Sequence, residues 1–387
     1  MKLPSISQSF TVNYDYKLYF TTGLFDTSNA LFVNLIRNYQ TEGQVKCVFI
    51  LDKGVVDANS PLSEAIEGYC SFYRSKIDLK EIITITGGEE SKNNQENVTK
   101  IWNAINEKSI CRHSFVVAIG GGALIDMVGY AATTAHRGVK LIRIPTTVLA
   151  QNDAAVGVKN SINAFDKKNF IGTFAIPYAI INDFDFLKTL ERRDWISGIA
   201  EGLKVALIKD EPFFNFIETN AHNLANRELE AMGPLIHRCA EIHMQHIGQG
   251  GDPFENGSSR PLDFGHWAAH KLEQMTGYKL RHGEAVAKGI ALDVTYAYLI
   301  GLIELATLNR ILKVFREIGF DLTLPVEGEK AVNELLKGIE EFREHLGGQL
   351  TITLISGIGS KHDVHVIDRD KMVEAIAMRT IEKHESN

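Results

Sequence analysis

The chain has 387 residues, of which 44% are hydrophobic and 23% charged, so it can bury the cores of two domains of ordinary size. A formal net charge of −7 argues against a general nucleic-acid or anionic-membrane binder. The four cysteines lie far apart without a CxxC pair, which disfavours a disulfide framework and a thiolate zinc site. No apolar run approaches the roughly 20 residues of a membrane span and no signal sequence is evident, so we expect a cytoplasmic protein.

Short apolar segments alternate with helical patterns in the first half of the chain. The pattern predicts strands over 45–52, 81–86, 114–119 and 141–145, and helices over 58–73 and 95–108. Strands that alternate with helices form crossover connections. This favours a mostly parallel, Rossmann-like sheet with helices on both faces.

The second half of the chain is predicted to be mainly helical. Its helical patterns cover 203–221, 228–247, 261–276, 283–299, 304–319 and 331–344. We therefore predict an α/β plus α protein, with an α/β domain over residues 1–185 and a mainly helical domain over residues 186–387.

A run of three glycines at 120–122 follows the predicted strand 114–119 and precedes a helix. Because glycine lacks a Cβ, its backbone can approach a phosphate, and the N–H groups of a helix start attract an anion. The run is not GxGxxG, and a tight strand-to-helix turn would be a strong alternative if it stood alone. Asp52 and the pair Thr146-Thr147 also end predicted strands, where ligands bind in such sheets. Together these positions favour a cofactor site.

Two histidines and a carboxylate stand at helical spacing in the predicted helix 261–276. Asp263, His266 and His270 occupy positions i, i+3 and i+7, which predicts one helical face for all three. Two histidines from separate elements, His266 and His282, and the carboxylate of Glu201 could supply the three ligands of a metal site with an open position. Structural histidines held by hydrogen bonds remain the alternative, because 13 histidines cluster partly by chance.

Two lysine-bearing loops, over 151–159 and 167–172, follow the strands that end near the glycine run. Their charge suits an anionic substrate. A solvated basic surface is the alternative, and charge counting does not distinguish the two.

Seven motifs occur in one order along the chain: GGGxxxD from Gly120, PTT, QxDxxVGxK, KKNxIG, SGxAExxK, FGHxxxH and HGEAVAxG. Their order resembles that of the dehydroquinate synthase superfamily, the sugar phosphate cyclases, although any one motif alone is weak evidence. The resemblance extends from Asp52 to beyond His345. It implies an NAD-binding α/β domain, a helical metal- and substrate-binding domain, a zinc ion with cobalt as the alternative, and a homodimer.

The family's site residues carry over to this chain motif by motif. Its metal ligands correspond to Glu201, His266 and His282. Its NAD contacts correspond to Asp52, Glu89, Lys92, Gly121, Gly122, Asp126, Thr146, Thr147, Lys168, Phe186, Thr189 and Leu190. Its substrate contacts correspond to Asp153, Lys159, Asn169, Lys204 and His270. Arg137 matches an arginine that such enzymes supply to the phosphate site of the partner subunit.

The departures from the pattern lie where dehydroquinate synthases hold the carboxylate of their substrate. Asp263 replaces their asparagine, Ser259 replaces their arginine with Arg260 one position too close, and their upstream lysine is absent. A substrate without a carboxylate needs neither cation, and an anionic Asp263 would accept hydrogen bonds from hydroxyl groups. The local sequence resembles the 2-epi-5-epi-valiolone synthases, which cyclise sedoheptulose 7-phosphate, and His345 matches a second position of that group. We therefore expect Asp263, Arg260 and His345 at the substrate, although a sister group of bacterial cyclases leaves the product open.

The resemblance implies one pocket in which NAD takes a hydride from a ring carbinol and returns it after phosphate has left. Ring opening and an aldol closure then give a carbocycle. The expected partner is a small sugar phosphate, with no nucleic acid and no membrane. The alternatives are a true 3-dehydroquinate synthase, a metal- and NAD-dependent polyol dehydrogenase, and a non-catalytic NAD-binding protein. Lys159, Lys168 and Asn169 suit a phosphate leaving group and argue against the dehydrogenase.

Overall fold

The computed structural model describes residues 3–165, 167–250, 253–254, 261–345 and 347–380. The strands of its first half are β1 (Lys17–Thr21), β2 (Val45–Asp52), β3 (Ile77–Ile85), β4 (Phe115–Gly120), β5 (Lys140–Pro145), β6 (Lys159–Ala164), β7 (Lys167–Phe174) and β8 (Ala179–Asp183). The helices are α1 (Leu31–Tyr39), α2 (Lys53–Ala58), α3 (Leu62–Phe72), α4 (Gln95–Glu107) and α5 (Gly122–Thr134). Six strands form a parallel sheet in the order β1-β8-β5-β4-β2-β3, and β6 and β7 form a separate antiparallel hairpin.

Alternate residues of the central strand β2 enter two different cores. Cys47, Phe49 and Leu51 pack on one face of the sheet with α1 and α3, whereas Val48 and Ile50 pack on the other face with α4 and α5. Because both faces are covered, the strand is a continuous apolar run and does not alternate with polar residues. The parallel sheet with helices on both faces confirms the predicted Rossmann-like class of this half.

The second half is mainly helical, as predicted. Its helices are α6 (Arg192–Ser197), α7 (Ile199–Lys209), α8 (Glu211–Thr219), α9 (Ala221–Ala225), α10 (Leu229–Gln249), α11 (His266–Met275), α12 (His282–Leu299), α13 (Leu305–Ile318), α14 (Gly328–His345) and α15 (Arg369–Thr380). An antiparallel hairpin that the pattern did not predict, β9 (Ile352–Gly357) with β10 (Ser360–Val364), lies between the last two helices. No helix of the described chain is both long and apolar enough to cross a bilayer.

The helix predicted over 58–73 is confirmed by α3, which begins four residues later than predicted. Before it, the side chain of Asn59 donates to the carbonyl of Val55, where α2 ends. The long helix predicted over 203–221 is wrong, because it is interrupted at Asp210, whose carboxylate accepts from the backbone N–H of Phe213 at 3.0 Å. Such local side-chain bonds compete with continuing a helix. Apolar periodicity runs across this break and therefore does not reveal it.

The predicted helix 261–276 also divides, and this changes the position of a candidate site residue. A 3₁₀ turn, Pro261–Asp263, precedes α11, and Gly265 between them has a φ of +77°. The single helical face predicted for Asp263, His266 and His270 is therefore wrong, because Asp263 lies outside the helix. The left-handed glycine redirects the chain just before the first turn of α11.

A close crossing of α11 and α12 brings two histidines together. A Cβ on Gly289 would lie 2.1 Å from the carbonyl oxygen of Gly265, and a Cβ on Gly265 would lie 2.7 Å from the backbone nitrogen of Ile290. The two helices can approach this closely only because both positions are glycine. As a result, the rings of His266 and His282, the first residues of the two helices, are 5.4 Å apart.

A buried carboxylate on α12, that of Asp293, supports the same crossing. It accepts hydrogen bonds from the backbone N–H of Gly265 at 3.1 Å and from Nε1–H of Trp267 at 2.9 Å. Burial raises the pKa of Asp293 from 3.8 to about 7, against the opposing effect of these hydrogen bonds.

We predict that the charge of Asp293 destabilises the fold as pH rises. Because its folded pKa lies above its unfolded pKa, the folded chain loses up to about 4 kcal/mol between about pH 4 and pH 7. Asp293→Asn cannot ionise, so its Tm should rise relative to that of the wild type between about pH 5 and pH 8. Thermal unfolding of both proteins at the two pH values tests this, and a Tm difference that does not change with pH would contradict it.

Candidate active site

A cleft of about 720 Å³ lies between the β6–β7 hairpin and the helices α10 and α11. Its lining draws on both halves of the chain and includes many of the predicted site residues. Those residues are Asp126, Asp153, Lys159, Asn169, Lys204, Asp263, His266, His270 and His282. Candidate cofactor, metal and substrate residues thus meet at one cleft, although more than 150 residues of sequence separate the first from the last.

Three ligand atoms converge at the floor of this cleft. Oε1 of Glu201 lies 3.5 Å from Nε2 of His282 and 3.8 Å from Nε2 of His266. Ligand atoms of the three residues all lie within 4.8 Å of one another. Glu201 is fully buried, and its Oε1 has no hydrogen-bond partner among the described residues. A buried carboxylate oxygen that faces two ring nitrogens without bonding either one is an arrangement that a cation would complete.

The far side of each imidazole is occupied, which directs Nε2 toward Glu201. Nδ1 of His266 lies 3.1 Å from the carbonyl oxygen of Phe264, and Nδ1 of His282 lies 3.4 Å from Oε2 of Glu273. An imidazole that donates through Nδ1–H keeps a lone pair on Nε2, the form that binds a metal. The residues therefore fit a zinc or cobalt ion held by two nitrogens and one oxygen.

The charges at the site support this assignment. Burial raises the pKa of Glu201, but Lys204 and His282 beside it outweigh burial and lower that pKa to about 2, so the carboxylate is ionised. Burial lowers the pKa of His282, but Glu201 and Glu273 outweigh burial and raise it to about 10, so a metal ion that binds this ring must displace a proton from it. Burial and the nearby Lys204 hold the pKa of His266 well below 6.5, so its ring is neutral. Burial lowers the pKa of Lys204, but Glu201, Asp153 and Asp263 outweigh burial and raise it, so this lysine stays cationic. It serves as a fixed charge beside the site and not as a base.

We predict that Glu201→Gln loses metal affinity by at least about tenfold, because the substitution keeps the shape of the side chain but removes the anionic ligand. Equilibrium dialysis against Zn²⁺ and against Co²⁺ measures this. Glu218→Gln, which breaks an ion pair with Arg310 on the surface of the same half, is the matched control and should bind metal like the wild type. Equal affinity of the Glu201 variant and this control would refute the site.

The glycine run leaves room for a ligand at the carboxyl end of β4. Gly121 has an ordinary φ of −73°, and a Cβ added there would meet only Cγ2 of Thr147, at 3.6 Å. Neither backbone strain nor packing against the described chain therefore requires glycine at this position. The first turn of α5, which begins at Gly122, has no side-chain cap. A bare helix N-terminus beside an unfilled position suits the pyrophosphate of a dinucleotide.

Asp52 lies against the same loop from the neighbouring strand. Burial raises its pKa, while hydrogen bonds from the N–H groups of Gly54, Gly87 and Gly121 act to lower it. A Cβ on Gly87 would lie 1.8 Å from Oδ2 of Asp52, so this glycine makes space for the carboxylate. This candidate NAD-binding carboxylate is thus in direct contact with the glycine run.

Most other predicted NAD residues also lie at the carboxyl ends of the parallel strands. Lys92 donates to Asp126 at 2.8 Å and to the amide oxygen of Asn169, and Glu89 accepts from Asn163 at 2.9 Å. The remaining predicted residues in this region are Thr146 and Thr147 after β5, and Phe186, Thr189 and Leu190 after β8. Phe186 packs into the core, so only its backbone is available to a ligand.

We predict that Gly121→Ala folds normally, because the added Cβ makes only an ordinary contact with Thr147. The same Cβ occupies the space beside the helix N-terminus, so NAD binding should weaken by about tenfold or more. Fluorescence titration with NADH and a thermal melt measure the two properties separately. An alanine variant that binds NADH like the wild type would contradict the cofactor assignment of this loop.

On the substrate side of the cleft, two predicted residues are held by specific contacts. Oδ1 of Asn169 accepts from Lys92 and from Ser161, which leaves its Nδ2 as the donor available to a ligand. Asp153 lies in a π-helical turn, Ala150–Ala154, with Oδ1 3.0 Å from Nδ1 of His243. Sequence periodicity does not predict π-helical turns, which are frequent at functional sites.

The cleft lining does not include Arg137, the residue predicted to bind the phosphate of a partner subunit. Arg137 is exposed in the 3₁₀ turn Ala135–Arg137, and both it and His136 have positive φ, at 62° and 50°. From Asp126 to its end at Thr134, α5 rises about 12 Å away from the cleft, and Arg137 lies beyond that end. Arg260 and the side chain of His345 lie outside the described residues.

The sequence pattern missed Glu273, which joins the metal and cofactor sides of the site. It is buried on α11, with Oε1 2.9 Å from Nζ of Lys168 and Oε2 facing His282. Burial raises the pKa of Glu273, but His282 and Lys168 outweigh it and lower the pKa to about 2. The available signal was its position three residues after His270, one turn along the same helix. His243 was also missed as the partner of Asp153.

Comparison with known proteins assigns the chain to a family. A 3-dehydroquinate synthase N-terminal family model matches residues 82–197 and the corresponding C-terminal model matches residues 198–341. The 3-dehydroquinate synthase of Dictyoglomus thermophilum is 34% identical over 307 residues, which cover 79% of this chain and 84% of that protein.

Solved structures agree with this assignment. ValA, a 2-epi-5-epi-valiolone synthase from Streptomyces hygroscopicus with NAD⁺ and Zn²⁺ bound, has a TM-score of 0.85 and 26% identity over 98% of this chain and 99% of that chain. A 2-deoxy-scyllo-inosose synthase complexed with carbaglucose-6-phosphate, NAD⁺ and Co²⁺ shares the fold, with a TM-score of 0.76 and 21% identity over 94% of this chain and 96% of that chain. The chain therefore belongs to the dehydroquinate synthase family and is a sugar phosphate cyclase of that superfamily.

Proposed function

We propose that this cyclase acts on a seven-carbon ketose phosphate without a carboxylate, favouring sedoheptulose 7-phosphate, and forms 2-epi-5-epi-valiolone or a related cyclitol. The observation that carries the proposal is the position of Asp263 in the cleft lining with the metal-binding group. Its charge helps to raise the pKa of Lys204, so the two side chains are electrostatically coupled. An acidic residue there accepts hydrogen bonds from substrate hydroxyls and repels a substrate carboxylate.

The opposite wall of the cleft supports the same substrate class. Where a dehydroquinate synthase is expected to carry a lysine, α10 contributes His243 and His246 to the lining. His243 is held by the carboxylate of Asp153. Lys204 forms an ion pair with Glu201, so its positive charge balances that carboxylate. A substrate rich in hydroxyl groups fits this environment better than a carboxylate does.

Two cofactors belong to the proposal. Zinc, or cobalt in its place, would be held by Glu201, His266 and His282, and NAD would lie along the carboxyl ends of the strands from Asp52 to Thr147. When bound, NAD supplies a hydride acceptor that is regenerated within one turnover, and the metal ion polarises the oxygen of the reacting carbinol. The chain's own contribution is to orient the sugar hydroxyls through Asp263 and the cationic Lys204.

The phosphate of the substrate would be held by Lys159, the amide of Asn169 and His270, which all line the cleft. Arg137 would complete this site in a partner subunit. The exposure of Arg137, in a turn beyond the end of α5, supports that assignment, because an exposed side chain is available to a second subunit. A homodimer follows from the proposal, because the phosphate site is incomplete without the second copy.

A 3-dehydroquinate synthase is the alternative, favoured by the names of curated relatives at 34% identity. It requires catalysis on a carboxylated substrate although an aspartate stands at position 263. A polyol dehydrogenase is the second alternative, and it would accumulate NADH, whereas a cyclase returns the hydride and gives no net change in NADH absorbance.

The proposal predicts phosphate release from sedoheptulose 7-phosphate and not from the carboxylated seven-carbon phosphate that dehydroquinate synthases use. Both are tested in parallel with the zinc- and NAD-loaded protein, while NADH absorbance is followed. Asp263→Asn should lower kcat/KM for sedoheptulose 7-phosphate about 10- to 100-fold, since a hydrogen bond to a charged group contributes about 1.5–3 kcal/mol. Asp57→Asn, which breaks a surface ion pair with Lys53, is the matched control.

Each other outcome points to a different function. Release from the carboxylated substrate alone would mean that the chain is a 3-dehydroquinate synthase and that Asp263 does not select against a carboxylate. Accumulation of NADH without phosphate release would favour the dehydrogenase. No phosphate release from either substrate would refute the proposed substrate and point to another sugar phosphate.

A further inference from the structure

We propose that Glu273 is a positioning residue that couples the metal site to the cofactor side of the cleft. It would hold His282 in the metal-binding orientation with one carboxylate oxygen and Lys168 with the other. The inference rests on the metal and NAD of the proposed function and is independent of the sugar substrate.

The geometry that supports this role is a carboxylate shared between the two halves of the chain. Oε1 of Glu273 lies 2.9 Å from Nζ of Lys168 on β7, and Oε2 lies 3.4 Å from Nδ1 of His282 on α12. The side chain of Glu273 is only 4% exposed. A charge buried to this extent needs compensating partners, because removing one leaves an uncompensated charge in a low-dielectric environment.

Toward the metal site, Glu273 determines which nitrogen of His282 is presented. When Nδ1–H faces the carboxylate, the lone pair of Nε2 faces Oε1 of Glu201. A carboxylate behind a metal-binding imidazole orients the ring and increases its basicity, and removing such a partner typically weakens metal binding about 10- to 100-fold.

Toward the cofactor side, Glu273 holds the β6–β7 hairpin through Lys168. The ammonium group of Lys168 also lies over the ring of Tyr278, 4.8 Å from its centre, so the lysine is fixed by two contacts from the helical half. The next residue, Asn169, accepts from Lys92, which in turn is paired with Asp126 on α5. A continuous set of contacts thus runs from His282 to the helix that follows the glycine run.

The consequence is that metal and NAD should bind cooperatively. A metal ion that fixes His282 also fixes Glu273, and Glu273 then holds the hairpin against which the cofactor residues are arranged. Linkage requires the effect to be reciprocal, so NAD should raise the affinity for metal by the same factor that metal raises the affinity for NAD. Couplings of this type are typically about 5- to 150-fold.

The test uses the full-length protein and two variants. One removes both contacts of the Glu273 carboxylate, and the other removes only its contact with Lys168. Zn²⁺ affinity is measured by competition with a chromogenic chelator, with and without saturating NAD. Glu273→Gln should bind Zn²⁺ about 10- to 100-fold more weakly than the wild type and should lose the effect of NAD. Lys168→Met should keep the wild-type Zn²⁺ affinity within about twofold in the absence of NAD, yet lose the coupling at an NAD concentration that a separate NADH titration shows to saturate the variant.

Controls separate positioning from a general loss of structure. The visible absorption of bound Co²⁺ reports ligand geometry, and it should change in Glu273→Gln and stay unchanged in Lys168→Met. Glu218→Gln, the surface control, should match the wild type in every measurement. If Glu273→Gln fails to fold, Lys168→Met still tests the coupling.

Two results would overturn the proposal. One is a folded Glu273→Gln protein that binds Zn²⁺ as tightly as the wild type, and the other is a Lys168→Met protein that retains the full effect of NAD on Zn²⁺ affinity. Because no sugar phosphate is present in these measurements, failure of the proposed substrate would leave their outcome unaffected.

Discussion

A single buried carboxylate, that of Glu201, sets the arrangement of the active site. An isolated charge without access to water is too costly to keep, so the fold must surround it with compensating groups. Lys204 lies one turn further along the same helix, and the imidazoles of His266 and His282 approach from two other helices. These helices can supply both rings because glycines at their crossing let the backbones come close. The candidate metal ligands, the helix crossing and the charge of Lys204 therefore all accommodate the buried carboxylate of Glu201.

The cleft depends equally on contacts between the two halves of the chain. The β6–β7 hairpin belongs in sequence to the α/β half, but Lys168 on that hairpin is paired with Glu273 on α11. Asn169 on the same strand is bonded to Lys92 on the cofactor side. The candidate cofactor residues and the candidate metal ligands are in this way attached to a common frame, as a reaction in one pocket would require.

Substrate choice within the family is a question of which charges line the cleft. The fold is shared with synthases named for different products, 2-epi-5-epi-valiolone and 2-deoxy-scyllo-inosose, so the fold does not identify the substrate. Asp263 stands in a short turn just ahead of α11, where a single substitution between asparagine and aspartate adds or removes a negative charge outside the helix. Such a position can select hydroxyl groups over a carboxylate at little structural cost.

The sequence by itself determined the parallel sheet and the helical second half, and it supplied most of the candidate site residues that the cleft brings together. Continuous apolar strands and amphipathic helices have distinct periods, and the glycine run and the FGH and HGE segments carry chemistry at fixed spacing. It did not reveal the break at Asp210, because a local side-chain hydrogen bond interrupts the helix without changing the apolar period.

Only the tertiary structure decided which of these residues contact one another. Glu273 gains one of its two partners, Lys168, from a strand 105 residues earlier in the sequence, which no local pattern records. The π-helical turn at Asp153, the left-handed Gly265 and the displacement of Asp263 from the histidine helix result from packing between elements. Sequence periodicity reports which side of an element is buried, whereas the partner it is buried against depends on the whole chain.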